Sequence, residues 1–196
     1  ESYSALEHLR PYLPESGPYR VLHVGDGAHA RTAALFALKT QAENISIDPV
    51  LNHALVQEWC SSFGIRRLSW HKARIAEVAE QLNALPEMPV LVTFVHAHLH
   101  VDEVLEQLRW DVAFTLACCV PGHQLSSRHV PRKAGEDRGV LSEGRQYQVL
   151  VNTQRPPLRQ GRREDGRAGA ARGQPEASPS HSSPSHCESS TSSPNG

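Results

Sequence analysis

The chain has few cysteines, the residues that cross-link small folds. Its 196 residues include four of them (Cys60, Cys118, Cys119 and Cys187), and these show no CxxC spacing. Adjacent cysteines rarely pair with each other, so we expect neither a disulfide framework nor a zinc knuckle, and no structural metal. This use of cysteine is typical of a reducing compartment, which predicts a cytoplasmic or nuclear protein.

Long apolar runs, a signal peptide and a strong excess of one charge are also missing. No apolar run approaches the 18 residues that indicate a membrane helix, and no secretory leader is visible, so we expect no membrane association. The net charge is −1, and residues 1–154 carry 14 Lys and Arg against 17 Asp and Glu. That balance lacks the basic excess typical of a nucleic-acid-binding domain.

The last 42 residues lack the side chains that build a core. From Arg155 onward there is no Phe, Trp or Tyr, and Arg, Gly, Ser and Pro dominate. Such a segment cannot bury enough apolar area to offset the entropy of ordering it. We therefore predict a folded domain over residues 1–154 and a disordered tail over 155–196. Arg162 and Arg163 form a small basic cluster there, which a solvated tail explains most simply.

The first 154 residues alternate strand-like and helix-like patterns about five times. The strand-like runs are RVLHV, ISI, RRLSW, VLVTFVHAHL, DVAFTLACCV and QYQVLVN. Nearly continuous apolar strands are typical of a parallel sheet that is buried on both faces. The pattern predicts an α/β fold with a doubly wound, mostly parallel sheet and helices on both faces. The Gly- and charge-rich segment 121–144 is predicted to be a long loop before a terminal strand.

A glycine-rich turn and an acid follow the first two predicted strands. Gly25 and Gly27 come directly after RVLHV, and Asp48 ends the second strand about 20 residues later. In a doubly wound sheet, ligands bind beyond the carboxyl ends of the strands, and an acid there can accept both hydroxyls of a ribose. The spacing predicts a nucleoside-binding edge; the alternative is a tight turn and a capping Asp without a ligand.

Asp26 distinguishes between two nucleoside ligands. A dinucleotide site places a pyrophosphate at the N-terminus of the following helix, and a carboxylate in the turn would repel it. S-adenosylmethionine has no phosphate and carries a positive sulfonium and an amino group. The acidic turn therefore favours this methyl donor over NAD.

These residues resemble a known family. VLHVGDGAHARTA followed by ISIDP is similar to motif I and the following acid of class I S-adenosylmethionine-dependent methyltransferases. The later VHAHLHVDEVLEQL and DVAFTLACCVPGHQL are similar to a subgroup with a Pro-Cys-Cys-His element, some members of which modify tRNA. The resemblance covers about residues 18–152 and implies a Rossmann-like methyltransferase fold.

The resemblance also implies roles for individual residues. Gly25 and Gly27 would line the methionine part of S-adenosylmethionine, and Asp48 would hold its ribose. The chain departs from the family at His23, where an acid usually stands two residues before the first glycine. No Asp/Asn-Pro-Pro-Tyr element, which the family uses for amino-group methylation, follows the fourth strand.

Three histidines alternate after the fourth predicted strand. His96, His98 and His100 would share one face if the strand continued. Successive ligands along a strand lie too far apart for one tetrahedral ion, so no metal is expected. His96 or His98 is predicted to face the substrate as a base or a hydrogen-bond donor; otherwise these are partly exposed loop histidines.

The sequence as a whole predicts methyl transfer from S-adenosylmethionine to an unidentified acceptor, RNA or protein. The predicted cofactor-binding residues are Gly25, Asp26, Gly27 and Asp48. Two alternatives remain open: a non-catalytic Rossmann-like interaction module with a degenerate cofactor site, and an NAD-dependent oxidoreductase.

Overall fold

The computed structural model describes residues 1–117 and 121–155, which form seven strands and six α-helices. The strands are β1 (Arg20–Val24), β2 (Glu43–Ile47), β3 (Leu68–His71), β4 (Val90–Val95), β5 (Val112–Leu116), β6 (Pro131–Glu136) and β7 (Gln146–Val151). The helices are α1 (Ser2–Leu9), α2 (Arg31–Lys39), α3 (His53–Phe63), α4 (Ile75–Asn83), α5 (Val101–Gln107) and α6 (Pro121–Gln124). None of these helices is long and apolar enough to cross a lipid bilayer.

The seven strands form one sheet with the order β3-β2-β1-β4-β5-β7-β6. The first five strands are parallel to one another, and β7 runs antiparallel between β5 and β6. The order reverses between β1 and β4, which creates a crevice at the carboxyl ends of these two strands. The predicted doubly wound, mostly parallel sheet is confirmed.

Strand residues alternate between two apolar cores. Leu22, Val24 and Phe94 pack with α4 and α5 on one face of the sheet. Val21 and Phe114 pack with α1 and α2 on the other face. Because every residue of β1 is buried, this strand lies in the centre of the domain and fixes the position of the turn that follows it.

The prediction of a single long loop over 121–144 is wrong. This segment contains α6 and strand β6. The sequence PRKAGE of β6 contains Pro, Gly and three charged residues, and five of its six side chains are exposed. An edge strand in a hairpin needs no apolar face, so β6 has no hydrophobic period to detect.

Strands β4 and β5 are shorter than their apolar runs suggest. Strand β4 ends at Val95 and β5 at Leu116, so the three alternating histidines follow the strand instead of extending it. Cys118 and Cys119 lie outside the described residues. The predicted disordered tail also lies outside them beyond Arg155.

Candidate cofactor site

A cavity of about 730 Å³ opens at the carboxyl ends of β1, β2 and β4. It lies in the crevice where the strand order reverses, and its volume falls within the usual range for small-molecule sites. Its walls come from the turn after β1, the end of β2, the first turn of α4, the loop after β4, and α5. The lining includes Gly25, Gly27, Asp48, Pro49, Val50, Arg74, Ile75, His96, His98, Leu99, His100, Glu103 and Val104.

The turn requires glycine at positions 25 and 27 for different structural reasons. Both adopt left-handed backbones, with φ of +73° at Gly25 and +72° at Gly27. A Cβ on Gly25 would lie 2.6 Å from the Cβ of Ala97, so this glycine lets the loop after β4 pack against the turn. A Cβ on Gly27 would meet nothing within 4 Å, which leaves the backbone there open to a ligand.

The carboxylate of Asp48 holds the turn and faces the same cavity. One oxygen accepts the Gly27 N–H at 2.8 Å, and the other accepts the Val50 N–H at 2.8 Å. Each carboxylate oxygen has a second lone pair, so hydroxyl groups of a ligand can still be accepted. Because Asp48 is only 7% exposed, its bonds to the turn are largely shielded from water.

Asp26 does not line the cavity. Its carboxylate accepts the backbone N–H groups of Thr32 at 2.9 Å and Ala33 at 3.0 Å, in the first turn of α2. The hydroxyl of Ser46 donates to the same carboxylate at 3.2 Å. These two N–H groups are the ones that would hold a pyrophosphate in a dinucleotide site. The structure thus places an internal anion at the helix N-terminus and turns Asp26 away from the predicted ligand.

His23 lies beneath the turn in a buried polar network. Its Nε2 lies 3.1 Å from Asn44 Oδ1 and its Nδ1 lies 2.8 Å from Thr93 Oγ1. The Asn44 amide donates to the carbonyls of Ala42 and Arg67, so its oxygen must accept the Nε2–H of His23. Desolvation by burial lowers the pKa of His23, although the Asp26 charge and the Asn44 bond oppose it. A neutral imidazole therefore occupies the position at which the methyltransferases that the sequence resembles usually carry an acid.

The three alternating histidines do not share a strand face. His96 has a left-handed backbone with φ of 55°, and His100 precedes the first residue of α5. All three nevertheless line the cavity, because the loop after β4 folds over its edge. The His100 ring also lies 4.0 Å, centroid to centroid, from the ring of His123 on α6. Within residues 1–117 and 121–155, no group of three or more His, Cys, Asp or Glu side chains is placed to hold a metal.

Sequence reasoning missed several residues that shape this region. Asn44 and Thr93 hold His23, and Ser142 contacts His96 across 46 positions of sequence. No local motif marks them, because their relation to the site depends on strand pairing and on the β6–β7 connection.

No protein-family model matches the chain, and no curated protein matches it by sequence. Solved structures do match it by fold. An rRNA methylase from Streptococcus thermophilus superposes with a TM-score of 0.52 and 11% identity, covering 76% of this chain and 94% of the other. TrmK from M. capricolum, solved with S-adenosyl-homocysteine, gives 0.51 and 10% over 76% and 67% of the two chains. The bifunctional kinase-methyltransferase WbdD gives 0.51 and 18% over 77% and 34%.

These similarities identify the fold. The chain has the class I methyltransferase fold, as the motif resemblance implied. It spans about a third of the length of WbdD but most of the length of the rRNA methylase. At such low identity the comparison assigns no ligand or acceptor, and the residues of the cavity must supply that argument.

Proposed function

We propose that this protein binds S-adenosylmethionine at the cavity after β1 and catalyses methyl transfer from it. The observation that carries the proposal is the contrast between the acid in the turn, Asp26, and the acid that follows β2, Asp48. Asp26 occupies the helix N-terminus that a pyrophosphate needs, whereas Asp48 lines an adjacent cavity of nucleoside size. A ligand with ribose but no phosphate matches this arrangement.

The cavity wall suits the parts of this ligand. Val50, Ile75 and Val104 offer apolar surface for an adenine ring. Asp48 offers carboxylate lone pairs for the ribose hydroxyls, and the open backbone at Gly27 leaves room for the methionine chain. Glu103 adds a second acid to the wall, and acids attract a sulfonium and an ammonium.

When bound, S-adenosylmethionine supplies an electrophilic methyl carbon on a positive sulfur. The chain's own contribution begins with orientation. Asp48 and the Gly27 backbone hold the ligand at the glycine turn, and the loop at His96 forms a neighbouring part of the wall. Holding donor and acceptor in attack geometry is worth several orders of magnitude in rate, because it removes the entropy of bringing them together.

Calorimetric titration tests binding directly. We expect the wild-type chain to bind S-adenosylmethionine and S-adenosylhomocysteine with micromolar affinity and NADH at least 100-fold more weakly. Gly27→Ala should weaken binding at least tenfold, since the new methyl group projects into the open wall of the cavity. Asp48→Asn should also weaken it, through loss of the anionic acceptor.

Gly64→Ala is the matched control for Gly27→Ala. Gly64 ends α3 with φ of +63°, and its Cβ position is equally open. The substitution therefore carries a comparable backbone strain outside the cavity, and the affinity should stay within threefold of wild type. No heat from either ligand at millimolar concentration would contradict the proposal and favour a non-catalytic interaction module.

A further inference from the structure

His96 holds an uncommon backbone conformation at the cavity edge. It directly follows β4, and its N–H donates to the carbonyl of Leu116 at 3.1 Å. Among the described residues, only Ala30 and His96 are non-glycine residues with positive φ. Such a conformation costs about 1 kcal/mol or more and persists where the surroundings enforce it. The next residue, Ala97, lies close to Gly25 and places the His96 loop against the glycine turn.

The neighbours of His96 determine which ring nitrogen carries the proton. The Ser142 hydroxyl donates to the carbonyl of Gly144 at 2.9 Å, so its oxygen is left as an acceptor. That oxygen lies 3.3 Å from His96 Nε2, and Oε1 of Glu1 lies 3.7 Å from the same nitrogen. Both neighbours can accept, which favours the tautomer with hydrogen on Nε2. Nδ1 then carries the free lone pair, and within residues 1–117 and 121–155 it has no hydrogen-bond partner.

This arrangement resembles the positioning of a general base. A partner on one imidazole nitrogen fixes the tautomer and leaves the lone pair of the other nitrogen for the reacting group. The ring is partly exposed, at 24%, and it lines the cavity proposed for the methyl donor.

We propose that His96 is the general base for methylation of a hydroxyl-bearing acceptor; this inference rests on the proposed function. As the hydroxyl oxygen forms its bond to the methyl carbon, the carbon–sulfur bond breaks and its electron pair stays on sulfur. The hydroxyl proton passes to Nδ1 of His96, the O–H electron pair stays on oxygen, and the imidazolium later releases the proton to solvent. A hydroxyl is the acceptor class that depends most on a base, since an amine attacks through its own lone pair.

The tautomer can be measured without any acceptor. We expect ring ¹⁵N–¹H correlation spectra of the full labelled chain to show His96 with hydrogen on Nε2 and a bare Nδ1 near pH 8. Ser142→Ala should shift the ring toward a mixture of tautomers, because the accepting oxygen is lost. Hydrogen on Nδ1 in the wild-type spectrum would overturn the proposal, whatever the acceptor.

Base catalysis is tested with phenol and thiophenol, which have the same shape but differ in the need for a base. Thiophenol is largely ionised at neutral pH, whereas phenol must lose its proton during attack. We expect His96→Asn to lower methyl transfer to phenol about 100-fold and to change transfer to thiophenol less than threefold. Asn is chosen because it tolerates a left-handed backbone.

The acceptor experiment separates the two proposals. S-adenosylmethionine binding is measured first for wild type and His96→Asn, and equal affinities show that the donor site is intact. Absence of binding to the wild type would defeat the proposed function itself. With binding intact, equal losses for phenol and thiophenol, no loss for either, or wild-type transfer to thiophenol alone would overturn the role of His96.

Discussion

The carboxyl edge of the sheet has two halves that are built in different ways. The glycine half consists of the turn 25–30 and Asp48, and four bonds from backbone N–H groups to two carboxylates hold it. The histidine half consists of the loop 96–100 and the β6–β7 connection, and among the described residues a side-chain hydrogen bond between His96 and Ser142 joins the two. The first half is local in sequence and densely bonded, whereas the second joins distant segments through few bonds.

The difference suggests a division of labour. Carboxylates that accept backbone N–H groups fix a chain without depending on flexible side chains, which suits a pocket for one invariant ligand. A wall held by single side-chain bonds can change by substitution without disturbing the first half. We therefore expect changes in the glycine half to affect stability and donor binding, and changes in the histidine half to affect acceptor chemistry.

The largest expected effect lies where the two halves touch. Gly25→Ala places a methyl group 2.6 Å from the Cβ of Ala97 and adds the strain of a positive φ. Overpacking and the left-handed backbone together should cost about 3 kcal/mol of unfolding free energy, measured by urea denaturation. Donor binding should be lost as well, because the turn cannot relax without moving away from Asp48.

Gly17→Ala provides the control for this substitution. Gly17 has φ of +85° and open space around its Cβ position, so the change should cost only the backbone strain of about 1 kcal/mol. Equal destabilisation by the two variants would show that the two halves are not tightly packed against each other.

The glycine half could be predicted from sequence because its determinants are close together. Gly25, Gly27 and Asp48 follow buried strands whose apolar runs can be recognised in the sequence, and the structure brings all three to one cavity. The role of Asp26 cannot be predicted from the sequence in the same way. A carboxylate in a glycine-rich turn can face a ligand or cap the following helix, and only the rotation of the turn decides between them.

For the histidine half, the sequence shows that several histidines follow the fourth strand but does not predict how the loop folds. The alternation of His96, His98 and His100 suggested a strand face, but β4 ends at Val95 and the left-handed backbone of His96 redirects the chain. The contribution of Ser142 depends on a hairpin whose edge strand has no apolar period. Ser142 and His96 are 46 positions apart in the sequence, so no local motif indicates that they are in contact.

The second prediction tests whether Asp26 belongs to the scaffold of the glycine half or to its ligand site. Asp26→Ala leaves the N–H groups of Thr32 and Ala33 without their acceptor. Loss of such a cap at a helix N-terminus typically costs about 1–2 kcal/mol, and urea denaturation should show a loss of this size. S-adenosylmethionine affinity should stay within threefold, since the carboxylate faces the helix.

Asp26→Asn is the matched variant for this test. It keeps one acceptor oxygen and should lose roughly half as much stability as the alanine variant. A tenfold loss of donor affinity at unchanged stability in either variant would instead mean that Asp26 contacts the ligand.

The smallest expected effect concerns the network beneath both halves. His23 bonds to Asn44 on β2 and Thr93 on β4, and burial lowers its pKa below the ordinary value of 6.5. Well above pH 6.5 His23 is neutral in both the folded and the unfolded chain. As the pH falls below 6.5 the unfolded chain takes up a proton that the folded chain resists, so stability falls until the folded pKa is reached. For this one group, the loss between pH 7 and pH 6 is at most about 0.7 kcal/mol.

His23→Gln should remove this part of the pH dependence, because an amide can bond to a neighbour without titrating. The measurement is the unfolding free energy at pH 7 and pH 6 for both chains, and the slope between them is compared, so that any uniform loss of stability cancels. His29→Gln, at an exposed histidine, should retain the wild-type slope. If His23→Gln also retains it, the imidazole is equally easy to protonate in the folded and unfolded chains. The neutral state of His23, inferred from the burial of its imidazole, would then be wrong.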